Sequence, residues 1–455
     1  MDYFKNNMNA LKKFHPLVWD EVKSAGFLPG VVEVALSRKG LPVCIYTCGK
    51  RRIVLHSLYD PVKEAKKFVE SKNIKPGADV VLYGFGNGYI VEEILNLISA
   101  NDKITVFELN LGIFRKALET RDLTRIFSDK RFVIHAAYYK ERILEVLKKA
   151  LDKIIFGGGN LIIHRPSLET IPEAMLDLKN ALTDFALGVD SIEHFKPQME
   201  ANIKINLEDT SGYLKVKDFF GRYRMPAIIV SAGPSLDKNI QLLHEAGNKA
   251  LIICVGTALR PLIYRDIFPD FCVIIDPSPF VFEQVKNLSV DTPLIFLPTV
   301  NWKVVKCYTG PRIMGIQEGI DLSEEFKSTW GVLETGGSVA TTALDVAIKF
   351  GANPVIFVGQ DLAYTAHKTH ATGTVHGDMA IDEDFCTVYL KAWGGAGKVT
   401  SSKNLSYYKR WMERRILRER DIVFINATEG GAHIEGAVDA YLKDVLSQLP
   451  VIRGV

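Results

Sequence analysis

The clearest pattern along the chain is a run of short, wholly apolar segments separated by amphipathic ones. From residue 226 onward these read as strands at 227–232, 251–255, 271–276, 293–298, 354–359 and 421–426, with helical periodicity between most of them. Strands without polar alternation, set between helices, are expected of a parallel sheet covered on both faces. A similar alternation begins earlier, at Val80, with strands predicted near 80–83, 104–110, 131–137 and 160–166. Ahead of it, 31–37, 41–48 and 51–57 read as strands, the first two joined by a turn at Arg38, Lys39 and Gly40, and 60–71 has helical spacing with a proline near its start. Residues 165–222 are helical in pattern and read as a connector. Residues 365–400 break the alternation and read as a long Gly-, Thr- and His-rich loop, the kind that often serves as a lid or binding loop.

These patterns predict an α/β protein with two Rossmann-like units, the second a doubly wound, mostly parallel sheet, preceded by a small α+β cap. The expected divisions are a cap at 1–75, a first Rossmann-like domain at 76–200, a second at 201–440 and a short tail at 441–455. A length of 455 residues agrees with two or three domains.

Composition narrows the class. Apolar residues make up 47% and charged residues 24%, which excludes a disordered or collagen-like chain. Lys and Arg (56) nearly balance Asp and Glu (53), for a net charge of +3. No broad basic stripe for nucleic acid is expected, and any anionic ligand must be held by backbone turns and helix ends. The six cysteines have no framework spacing, no run approaches a membrane span, and no apolar leader opens the chain. A reduced, cytoplasmic protein is the expectation.

Chemistry concentrates where strands end, since ligands in open α/β sheets lie beyond the carboxyl ends of the strands. The first glycine turn, Gly84-Phe85-Gly86-Asn87-Gly88, is followed 20 residues later by Glu108; it reads either as a nucleotide half-site or as a scaffold turn. The second holds Gly233, Pro234 and Ser235 at the start of a helical segment, a setting suited to an anion or to a plain strand–helix turn. Asp276 ends a strand and reads as a binder of sugar hydroxyls or as a helix cap. Thr335, Gly336, Gly337 and Ser338 enter another helix and form a second possible anion cradle. Gln360 and Asp361 end the strand before the long loop, which carries Tyr364, His367, His370 and His376; the histidine spacing only loosely permits a metal. Asp382, Glu383 and Asp384 match a D-x-D pattern, though not directly after a strand.

Four of these segments together resemble the motility accessory factor family, tied to bacterial flagellin glycosylation: 226–240, 335–365, 368–374 and 426–436. The second Rossmann-like unit is also similar to bacterial sialyltransferases, and its Gly-Pro-Ser-Leu-Asp core to archaeal pterin diphosphokinases. The resemblance implies a glycosyltransferase that moves a nonulosonic acid, of pseudaminic or legionaminic type, from its CMP-activated form to Ser or Thr of flagellin. No cofactor is implied beyond that donor, and a metal is left open. The partners implied are flagellin and the CMP-sugar, with no nucleic acid and no membrane span; a homo-oligomer is admitted. Gly233, Pro234, Ser235, Asp276, Thr335, Gly336, Gly337, Ser338, Gln360 and Tyr364 would bind the nucleotide sugar, with Asp361 and His370 as catalytic groups. The chain departs from the sialyltransferase pattern in one place: 399–404 has no histidine, so His370 or Asp361 would have to supply the base. The family's C-terminal helical domain is expected to be reduced or missing. Two other functions stay open: a hydroxymethylpterin diphosphokinase-like ATP-dependent enzyme, and a flagellin-binding accessory factor without catalysis.

Overall fold

The computed structural model describes residues 2–24, 30–72, 74, 77, 79–136, 160–171, 175–318, 320, 322–365, 368–375 and 388–452. The chain divides into two compact units, Met1–Ala186 and Leu187–Val455, and the division falls within the helix Leu176–Asn206.

Unit one opens with a helix, Tyr3–Phe14, capped by Asp2. An antiparallel sheet of β1 (Val31–Leu36), β2 (Pro42–Cys48) and β3 (Arg51–Val54) follows. The helix Pro61–Glu70 starts where its sequence predicts: Asp60 accepts the Lys63 amide at 3.0 Å, and Pro61 occupies the first turn, where a missing N–H costs nothing. The rest of the unit is a parallel sheet of order β6–β5–β4–β7, from β4 (Val80–Tyr83), β5 (Ile104–Glu108), β6 (Phe132–Ala136) and β7 (Asn160–Ile163).

Unit two is built on a nine-stranded sheet. Its strands are β8 (Leu214–Lys215), β9 (Ala227–Val230), β10 (Leu251–Val255), β11 (Phe271–Ile274), β12 (Leu294–Phe296), β13 (Arg312–Met314), β16 (Val355–Val358), β19 (Phe424–Asn426) and β20 (Val438–Asp439). The order is β20–β19–β16–β9–β10–β11–β12–β13–β8, and every neighbouring pair is parallel. Every residue of β9, β10, β11 and β16 is buried, as their unbroken apolar runs require. Cys254 and Cys272 pair in register inside this core as free thiols. Two short ribbons complete the unit: β14 (Ile316–Gln317) with β15 (Val332–Leu333), parallel, and β17 (Val388–Lys391) with β18 (Lys398–Ser401), antiparallel.

All six apolar runs of the second unit are strands. The structure adds β8, β13 and β20, each only two or three residues long and too short to stand out as a pattern. It also corrects the long loop: 388–401 is a hairpin, reversed at Gly394, Gly395 and Gly397, all with positive φ. The mixed α/β class, two parallel sheets with a small antiparallel N-terminal sheet, is as expected.

The strand order fixes where a site belongs. From β9 the chain steps outward through β10, β11, β12 and β13, then returns to β16 on β9's other side and continues to β19 and β20. The reversal between β9 and β16 opens a crevice at their carboxyl ends.

Candidate functional site

Three glycine turns compete for a ligand, and their surroundings separate them. In the turn 84–88, Glu108 folds back onto the backbone: its carboxylate accepts the amides of Phe85 (3.0 Å), Gly86 (3.4 Å) and Asn110 (2.9 Å). The Asn87 amide donates to His56 Nε2 at 3.3 Å. His56 stacks on His164 with centroids 4.8 Å apart, and His164 Nδ1 lies 2.8 Å from Ser167 Oγ. A Cβ at Gly84 would lie 2.5 Å from Ser167, and one at Gly86 2.7 Å from His56. The glycines admit the protein's own side chains, not a nucleotide. Burial pushes the Glu108 carboxyl up to about 7 against the pull of the backbone amides, and holds both imidazoles below their ordinary range.

At the β9/β16 crevice the second turn is filled in the same way. Asp361 is buried, and its carboxylate accepts Ser235 Oγ (2.5 Å), the Ser235 amide (3.2 Å) and Thr365 Oγ1 (2.5 Å). A Cβ on Gly233 would stand 2.1 Å from Asp361 Oδ1 and 2.6 Å from the Gly359 carbonyl. The Gly233 amide donates to that carbonyl at 2.8 Å. Pro234 is buried, and Ser235 caps no helix; only one α turn, Leu236–Asn239, follows it before the chain tightens to 3₁₀. Gln360 is buried and accepts Ser231 Oγ at 2.6 Å. Burial raises the Asp361 carboxyl above its ordinary value, while Ser235 and Thr365 pull it down. The segment 368–375 crosses this turn: the Ala371 amide donates to the Ala232 carbonyl, and Thr372 donates to Asp237 through its amide (3.0 Å) and hydroxyl (2.8 Å). His370 is half-buried in that segment, and Tyr364 is half-buried beside β18, its amide donating to the Thr400 carbonyl. His367, His376 and the Asp382, Glu383, Asp384 pattern lie outside the described residues.

The third turn opens on a cleft of about 750 Å³, within the range of small-molecule sites. Thr335, Gly337 and Ser338 line it, with Val339 at the start of the helix Val339–Phe350. Ser338 sits at the N-cap with its hydroxyl unused as a cap. The Thr341 and Thr342 amides donate to the Ser338 carbonyl; the amides ahead of them have no intrahelical acceptor, and the helix dipole adds positive character, so this end favours an anion. Packing holds the turn rigidly. A Cβ on Gly336 would meet the Trp411 ring at 2.4 Å, and the Gly336 amide donates to Thr341 Oγ1 at 2.8 Å. Just upstream, the Glu334 amide donates to Asp345 at 2.8 Å; Asp345 is fully buried and also bonds Arg415 (3.1 Å) and Lys349 (2.8 Å).

Asp276, beyond β11, lines the same cleft. Its Oδ1 accepts the Ser278 amide at 2.7 Å, and its other oxygen has no partner among the described residues. Tyr407 and Tyr408, from the helix Lys403–Ile416, add two ring faces, with centroids 5.5 Å apart and tilted by 49°. Asn404, in the stretch that lacks the histidine of the sialyltransferase pattern, also lines it. Burial raises the Tyr408 phenol, with smaller contributions from Tyr407 and Asp276. Among the described residues, the lining contains no Lys or Arg.

The predicted residues therefore fall into two groups. Asp276, Thr335, Gly337 and Ser338 share the cleft, with Gly336 packed behind it. Gly233, Pro234, Ser235, Gln360 and Asp361 form a buried knot at the β9/β16 crevice, with His370 and Tyr364 in the chain that follows. Sequence reasoning missed the cleft's other wall. Leu187, Gly188, Ser191, His194, Phe195 and Met199 line it from the helix Leu176–Asn206, in the stretch read as a connector. Their spacing of three, four and eight is one helical face, and the small residues Gly188 and Ser191 on that face are its only sequence signal. Among the described residues, no group of three or more His, Cys, Asp or Glu could hold a metal ion. None of their helices is long and apolar enough to cross a membrane.

Comparison with known proteins gives two findings. Residues 198–367 match the model of the 6-hydroxymethylpterin diphosphokinase MptE-like family. The structure is similar to that of a MAf glycosyltransferase from Magnetospirillum magneticum AMB-1, at 17% sequence identity and a TM-score of 0.49, over 99% of this chain and 75% of that one. No curated protein sequence matches.

Proposed function

We propose that the chain is a glycosyltransferase that moves a nonulosonic acid of pseudaminic or legionaminic type from its CMP-activated form to Ser or Thr hydroxyls of flagellin. The observation that carries this reading is the open turn at 335–338, a helix N-terminus on a cleft whose described lining has no Lys or Arg. A single phosphodiester suits such an end, because backbone amides can neutralise one negative charge without a side-chain cation. Asp276 has a free oxygen for ribose or sugar hydroxyls. Tyr407 and Tyr408 offer ring faces to a pyrimidine. The four sequence segments shared with the motility accessory factor family supply the donor and acceptor classes.

A second reading, ATP-dependent diphosphoryl transfer to a hydroxymethylpterin, is favoured by the match over 198–367. Against it, the described lining of the cleft presents one carboxylate, Asp276, where a magnesium triphosphate would call for more.

The test is incubation of the protein with CMP-pseudaminic or CMP-legionaminic acid and flagellin, read by intact mass. The glycosyltransferase reading expects a shift of one sugar mass per modified hydroxyl, abolished by Gly337→Trp. AMP release from ATP with a hydroxymethylpterin, and no mass shift, would establish the second reading. Flagellin binding with neither reaction would leave an accessory factor.

A further inference from the structure

We infer that His194 is the general base of the cleft, taking the proton from the acceptor hydroxyl as sugar transfer proceeds; this rests on the glycosyltransferase reading above. Among the described residues that line the cleft, His194 is the one imidazole, and it is exposed. Its ring makes an edge contact with Phe195, centroids 4.7 Å apart and 83° between planes, which orients it without using either nitrogen. The other titratable groups among the cleft's described lining residues are Asp276, Tyr407 and Tyr408. Tyr408 has its phenol raised by burial, far from the range of a base at neutral pH, and Asp276 already holds the Ser278 amide.

The two groups expected from the sequence to act on protons lie at the β9/β16 crevice and in the chain that follows it. Asp361 is 3% exposed, and its carboxylate is bonded to Ser235 and Thr365. His370 is half-buried in the segment crossing the 233–237 turn. Neither lines this cleft.

The acceptor oxygen forms a bond to the anomeric carbon, and the bond from that carbon to the phosphate oxygen breaks. The electron pair leaves on the phosphate, held at the helix start beside Ser338. The hydroxyl proton passes to a ring nitrogen of His194 and then to water.

The experiment compares the full chain with His194→Gln by calorimetry with CMP, by the imidazole proton signals in NMR, and by CMP release from CMP-pseudaminic acid in the presence of flagellin. The variant is expected to bind CMP within about threefold of the parent and to lose about a hundredfold or more in kcat, together with the acidic limb of its pH–rate profile. In the parent, the signal that disappears on substitution is expected to shift on saturation with CMP. A His194 signal that does not respond to bound CMP, or a variant that keeps kcat within threefold, would overturn the assignment while leaving the glycosyltransferase reading intact. Absence of CMP binding by the parent would overturn that reading, and the role of His194 with it.

Discussion

The turns at 84–88 and at 335–338 follow one recipe: a strand, two or three glycines, then a helix. Their occupants are opposite. At 84–88 the backbone is approached by Glu108, His56 and Ser167, all from the same unit. At 335–338 the protein fills only one side, with Trp411 and the Asp345 network, and leaves the helix start facing a cleft. The knot of Gly233 and Asp361 belongs with the first kind, although it sits at the topological reversal where a ligand is expected. Glycine states that something comes close to the backbone. Whether that is a ligand or the chain's own side chain depends on residues distant in sequence: Glu108 for the first turn, Asp361 for the second, Trp411 for the third.

The largest expected effect comes from adding an atom to a filled turn. Gly233→Ala would put Cβ 2.1 Å from a carboxylate oxygen and 2.6 Å from a backbone carbonyl that cannot retreat without opening β16. It should destabilise unit two by about 3 kcal/mol or more, read by urea unfolding. A loss below about 1 kcal/mol would mean the turn is looser than described.

A middle-sized effect tests the other filled turn through pH. The Glu108 carboxyl titrates at about 7 in the folded state against an ordinary value of 4.5. Between those values the folded chain keeps a proton that the unfolded chain has released, so this group's contribution falls as pH rises. His56 and His164, held neutral, act with the opposite sign: their contribution is lost as pH falls below about 6.5, where the unfolded chain takes up protons. Glu108→Gln removes the first slope alone. The stability of the parent minus that of the variant should therefore shrink by about 2 kcal/mol from pH 5 to pH 7. A difference independent of pH would contradict the filled-turn description.

The smallest effect belongs to the open turn. Gly337 has φ +82°, and a Cβ there would make only ordinary contact, 3.4 Å from Tyr407. Gly337→Ala should cost about 1 kcal/mol from backbone strain alone. A cost as large as that of Gly233→Ala would mean the third turn is filled too.

Much of this architecture was legible in the sequence because burial leaves a strong trace. The runs that became β9, β10, β11 and β16 are unbroken because both faces of the sheet are covered. Asp60 and Pro61 announce a helix start that needs no tertiary support. The site was legible only in part. Asp276 and the 335–338 turn stand at the ends of elements, where polar residues interrupt apolar ones. Tyr407, Tyr408 and His194 carry no such mark, since each lies inside an ordinary helical pattern and reaches the cleft only through packing. The knot at Asp361 shows the converse: a polar residue at a strand end on the reversal of the sheet has the pattern of a ligand group, yet its partners are Ser235 and Thr365.

One of the three glycine turns is open and is proposed to bind the nucleotide, while the other two are filled. Hydrogen exchange measured with and without CMP tests it directly, because amides that gain a phosphate partner slow their exchange. Added protection is expected at Ser338, Val339 and Ala340, with 84–88 and 233–236 unchanged. Protection at 84–88 or 233–236, with none at 338–340, would contradict it.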